Sequence, residues 1–195
     1  MKNIFVFVLA AVTAMTTAFV PTKIPFDRFD DELLAGRDPD SDVFVIKKTG
    51  ERIDGHEFKR SGSHIKIDGN KISEDKISIM QSKKAYSVLF IDTNQSEWFV
   101  DRLRIGKISL YTYVTQAAIG GNGSGDIRGD YHQYAFEKER GKLVLLSFKE
   151  FANAISDKPV ALQKFKELYP KSKIPFHDEK GNLKNLIEVV EIYNN

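Results

Sequence analysis

Hydrophobic and polar residues alternate with a period of two through the middle of the chain and with a period near 3.6 towards its C-terminus. Val43-Phe44-Val45-Ile46 is a short apolar run, Thr49-Gly50-Glu51 supplies a turn, and Arg52 to Phe58 can return as the second strand of a hairpin. Ile65 and Ile67 then face one way while His64, Lys66 and Asp68 face the other, until Gly69-Asn70 breaks the run. Ile77 and Ile79 repeat that alternation, and Tyr86 to Ile91 reads as a more fully buried strand. Four or five short strands at roughly ten-residue spacing predict an antiparallel meander.

Glu97 to Ile105 carries two conflicting signals: Phe99 and Leu103 sit at helical spacing, while Trp98, Phe99 and Val100 favour a strand. A short helix is expected there. In Lys107 to Thr115, Ile108, Leu110, Thr112 and Val114 share one face, and Ser109, Tyr111 and Tyr113 the other. A glycine-rich loop, Gly120 to Gly129, follows. Tyr131 to Glu139 and Lys142 to Leu146 then bracket Arg140-Gly141 as a two-residue hairpin turn. Beyond it the period becomes helical. Phe148, Phe151, Ala152 and Ile155 follow Ser147 as N-cap, and Asp157 caps a second helix with Pro159 in its first turn and Leu162, Phe165 and Tyr169 on one face. A third helix runs from Leu183 to about Ile192 and presents Leu183, Leu186, Ile187 and Val190. Strands first and helices last predict an α+β fold, an antiparallel sheet followed by about three C-terminal helices.

Lys2, the apolar run Ile4 to Val12 and the small residues up to Thr16-Thr17-Ala18 read as a signal peptide, too short for a membrane span. Cleavage is expected after Ala18, with Val12-Thr13-Ala14 as a second candidate site. The expected organisation is a signal peptide over 1–18, an acidic flexible arm over 19–42 and a single domain over 43–195, β-rich to 146 and helical from 147. The arm holds seven carboxylates between Asp27 and Asp42 against Arg28 and Arg37. The roughly 177 residues after the signal should bury about 70% of their unfolded surface without covalent help.

The chain has no cysteine, which excludes disulfides, thiolate chemistry and attachment of a lipid anchor. The expected location is therefore the periplasm or the extracellular space, as a protein that is not a lipoprotein and has no membrane span once the signal is removed. Basic residues number 29 and acidic residues 27, so loss of Lys2 leaves the mature chain near neutrality, and a nucleic-acid role, which needs a basic face, is not expected.

The succession Thr49-Gly50-Glu51-x-Ile53-x-Gly55, then Gly106-Lys107-Ile108-Ser109-Leu110-Tyr111, then a terminal helix ending in Tyr193-Asn194, resembles a diffuse group of uncharacterised exported Gram-negative bacterial proteins. The resemblance implies export and a β-rich front half with a helical tail. It carries no catalytic residues.

Several segments suggest chemistry. The Gly120 to Gly129 loop lacks the Gly-Lys-Ser/Thr ending of a phosphate loop, and Gly125 stands where a calcium nonapeptide repeat needs Asp. Asp38, Asp40 and Asp42 alternate as in the opening of an EF-hand, but Val43 replaces its glycine and Thr49 its final glutamate. His56, His64, His132 and His177 have no metal-helix spacing, so neither a metal nor a cofactor is expected. Asp130, His132 and Glu137 lie close on one predicted segment and are the catalytic candidates, with Asp130 and His132 on one strand face. Trp98, Tyr111, Tyr113, Tyr131 and Tyr134 are the binding candidates, since an exposed aromatic face can stack on a sugar or on a partner's apolar patch. Covered by the helices, the same residues are core. The expected function is a non-enzymatic binding or envelope-associated module whose partner is an envelope protein or a carbohydrate. The alternative is a hydrolase of an extracellular polymer with its site near Gly120 to Gly129.

Overall fold

The computed structural model describes residues 30–92, 95–119, 127–174 and 179–195. The expected signal peptide, residues 120–126 of the glycine loop, His177 and the side chains of Asp130 and Tyr131 lie outside that description. The fold is α+β. Strands β1 (Val43–Lys47), β2 (Arg52–Gly55), β6 (Ile77–Gln81), β7 (Tyr86–Ile91), β8 (Glu97–Arg104), β9 (Ile108–Ile119), β10 (Ile127–Lys138) and β11 (Val144–Leu145) form one sheet. Its order is β11-β10-β9-β8-β7-β6-β1-β2, antiparallel throughout. Strands β3 (Phe58–Ser61), β4 (His64–Ile67) and β5 (Asn70–Ser73) form a second, three-stranded sheet.

The expected meander is thus divided between two sheets. The division falls at Gly55, where the second arm of the first hairpin ends short of Phe58, and a Cβ there would lie 2.4 Å from Ile67. Gly69 and Asp68 both take positive φ, which makes the predicted break a tight turn that carries the chain straight back into β5.

Glu97 to Arg104 is a strand, not the expected helix. Pairing with β7 on one side and β9 on the other satisfies its backbone and lets Trp98, Phe99 and Val100 follow their β preference. Ile77 and Ile79 do not share a face either. Ile77 pairs with Lys47 and Ile79 with Ile46, so Ser78 is an extra residue, a β-bulge whose hydroxyl donates to the Ile46 carbonyl at 3.0 Å. Glu139 and Arg140 are the positive-φ residues of the last hairpin turn, one position earlier than expected.

Part of the expected flexible arm is docked. Helix α1 (Asp30–Ala35) packs against β8 with Leu33 at 2% exposure, and Gln81 ties residues 38–42 to β6.

Register defines two faces. Val45, Met80, Ser87, Asp101, Thr112 and Tyr134 form one row across six strands. The small sheet covers its Val45 and Met80 end through Ile65, Ile67 and Ile72. Helices α2 (Phe148–Ala154), α3 (Pro159–Leu168) and α4 (Glu179–Asn194) cover the Tyr134 end, where Phe136, Phe151 and Phe165 meet edge to face. The helices follow their sequence signals. Ser147 caps α2 by accepting from the Glu150 amide, Pro159 opens α3, and Leu183, Leu186, Ile187 and Val190 of α4 are buried. Lys158 rather than Asp157 is the α3 cap. The Asp157 carboxylate instead accepts from Lys138 and from the Tyr193 hydroxyl.

Candidate functional site

The opposite face of the large sheet has no helix over it among the described residues. Phe44, Gln81 and Tyr86 form one row across β1, β6 and β7, and Arg102, Tyr111 and Ala135 continue it across β8, β9 and β10. Ile46, Ile79, Val88 and Val100 form a second row, and Phe90 and Trp98 a third. The Ser78 bulge is what turns Ile79 towards this side. Residues nearest the middle strands are sealed: Val100 is fully buried, Tyr111 is 2% exposed and Tyr113 is 9% exposed. Ile46, Ile79, Val88, Tyr86 and Trp98 keep accessible edges and form an apolar strip.

The polar groups border that strip. Arg102 is 7% exposed. Its Nε donates to the Gly36 carbonyl at 2.6 Å, its guanidinium lies 3.6 Å above the Tyr86 ring centre, and its Nη2 is buried with no hydrogen-bond partner. Trp98, four residues earlier on the same strand face, is held between Phe90 and Tyr113 at ring separations of 5.1 and 5.5 Å. Its indole Nε1 is also buried and unpartnered. The Tyr111 hydroxyl donates to Glu137 at 2.7 Å, and the Tyr113 hydroxyl donates to Gln133.

Burial, reinforced by the Glu137 carboxylate, pushes the Tyr111 phenol well above its ordinary range. Burial likewise pushes Tyr113 up to about 12, with Asp92 adding to the shift. Tyr86 is raised by burial and held back by the Arg102 charge. These phenols stay protonated donors at neutral pH. Among the described residues no nucleophile and base meet on this side, which presents two orphaned N–H donors beside an apolar strip.

Of the sequence candidates, Trp98, Tyr111 and Tyr113 come together here. Tyr134 does not: it lies 7% exposed in the helix-side core, because it is out of phase with Gln133 and Ala135 on β10. The catalytic candidates are divided in the same way. His132 shares the phase of Tyr134 and Phe136, whereas Glu137 faces Tyr111 on the other side. Sequence reasoning missed Arg102, Tyr86 and Ile79. Arg102 lies in the segment expected to be helical, and only as a strand residue is it brought into register with Tyr111.

Asp38 accepts from the Asp40 amide and the Ser41 hydroxyl, a local turn in place of a calcium loop. Among the described residues, no group of three or more His, Asp or Glu side chains is placed to hold a metal, and no helix is long and apolar enough to cross a membrane. An open depression lined by Pro159, Leu162, Gln163 and Lys166 belongs to the helical layer, not to this face. No family model matches the chain, and no curated protein or solved structure matches it.

Proposed function

We propose that this is an exported, non-enzymatic binding module that takes a small ligand on the face of its large sheet opposite helices α2 to α4. The observation that carries the proposal is the Nη2 of Arg102, a buried charged donor without a partner at the border of an accessible apolar strip. Such a group costs stability when left unpaired, and a ligand acceptor would relieve that cost. Export rests on Lys2, the Ile4 to Val12 run and the small residues before Phe19. The absence of cysteine favours a free periplasmic or extracellular protein over a lipid-anchored one.

Trp98 is the single tryptophan of the chain, so its fluorescence reports on this face alone. The mature protein, mixed with small-molecule extract from the host's envelope and medium, should show a saturable change in Trp98 emission. An extract that leaves the emission unchanged at every concentration contradicts the proposal.

A further inference from the structure

Building on that binding role, we infer that the ligand is an aliphatic carboxylate, its head on Nη2 of Arg102 and its chain along Val88, Ile79 and Ile46. The head follows from charge. Arg102 meets only neutral groups, the Gly36 carbonyl and the Tyr86 phenol; its Nη2 has no partner, and among the described residues no carboxylate pairs with it. Glu137, whose field reaches both Tyr86 and Tyr111, is engaged by the Tyr111 hydroxyl. A planar carboxylate supplies the missing charge and matches the guanidinium fork. The Tyr86 ring covers one flat side of that fork and Nη2 is itself buried, so the head meets it edge-on as the Arg102 side chain shifts.

The body follows from the strip. Ile46, Ile79 and Val88 are branched aliphatic residues on three adjacent strands, half-buried and in register, with Val100 next on β8. Three strands at about 4.8 Å spacing make an accessible track about 10 Å long and one side chain wide, closed on β8 by the buried Val100. The Phe44–Tyr86 row bounds it on one side and the Phe90–Trp98 row on the other. A flexible chain fits such a track. A sugar would leave hydroxyls against the Ile46, Ile79 and Val88 side chains, and the polar end of the row, Arg52 on β2, is already paired with Asp54.

The probe is decanoate, with decan-1-ol as its uncharged counterpart, titrated into the mature chain while Trp98 emission is followed. Decanoate should bind saturably and decan-1-ol about tenfold or more weakly, the worth of one charge-assisted hydrogen bond. Arg102→Gln should erase that preference, and Ile79→Lys should weaken both probes, with melting curves run on each variant. The wild-type comparison decides the matter whether or not Arg102→Gln folds. Equal binding of the two probes overturns the carboxylate head but leaves a binding face. Neither probe binding, while envelope extract still shifts Trp98, overturns the ligand class alone. Silence towards probes and extract overturns the binding role as well.

Discussion

Arg102 donates through Nε to the carbonyl of Gly36, a contact across 66 positions of sequence that fastens the end of α1 to the end of β8. Strand β7 begins at Tyr86 and pairs with β8 only as far as Asp101, which leaves the flank of Arg102 and Leu103 open for Gly36. A Cβ at position 36 would lie 1.8 Å from the Arg102 carbonyl oxygen, a contact that only displacement of the helix can relieve. Gly36→Ala should therefore cost about 1 to 3 kcal/mol, as overpacking does. Urea unfolding measures it, and an unchanged midpoint would disprove the contact.

Gln81 is fully buried and serves the segment that precedes β1. Its side chain accepts from the Asp38 amide at 2.7 Å and donates to the Ser41 carbonyl at 2.7 Å, with longer bonds to the Asp38 and Asp42 carbonyls. Gln81→Ala leaves those groups without their partner, at about 1 to 3 kcal/mol. Hydrogen exchange at the Asp38 amide should speed up in the variant while exchange in α4 holds steady. Equal exchange at Asp38 in both proteins would refute the tether.

Leu186 lies at the centre of the helix-side core, fully buried among Phe151, Phe165 and Val190. Leu186→Ala should cost about 2 to 5 kcal/mol, depending on how far the neighbours close the cavity. A thermal melt that matches the wild type would show that α4 does not pack as described.

Asp101 occupies the seam between the helical layer and the small sheet, where the Ser87 hydroxyl donates to it. Burial pushes its carboxyl up to about 6, opposed by that hydroxyl and by the Arg60 charge, while part of the side chain keeps contact with solvent. The folded state then holds the proton more tightly than the unfolded chain, whose carboxyl titrates near 3.9. The contribution of Asp101 to stability is greatest below about pH 4, falls as pH rises towards 6 and is level above that. Asp101→Asn keeps the acceptor and removes the charge. It should gain about 1 to 2 kcal/mol at pH 7.5 and nothing at pH 3.5, as read from paired melting curves. A gain of equal size at both pH values would contradict the raised carboxyl.

Elements whose signal is local could be read from the residues. Ile65 and Ile67 against Lys66, Ser147 before Phe148, and the Leu183 to Val190 stripe each specify their own geometry within a few positions. Long-range pairing could not. In Glu97 to Arg104, Phe99 and Leu103 mimic a helical stripe, but the same four-residue offset also puts both on the covered side of a strand. The Ser78 bulge reverses the phase of Ile79 for the same kind of reason, and no residue near Phe58 announces that its strand leaves the large sheet. The candidate site was half legible: the aromatic residues at 98, 111 and 113 are visible as types, whereas the unpaired nitrogen of Arg102 exists only once eight strands are in register.

Ligand binding on the accessible strip of the face opposite helices α2 to α4 is tested most directly by Trp98 emission in wild type and Ile79→Lys, both titrated with the same envelope extract. Ile79 is half-buried on this face alone, so the lysine should leave the melting midpoint within a few degrees of wild type. Binding on the strip gives a saturable shift in the wild type that is lost in the variant. An identical shift in both proteins, or none in either, would contradict it.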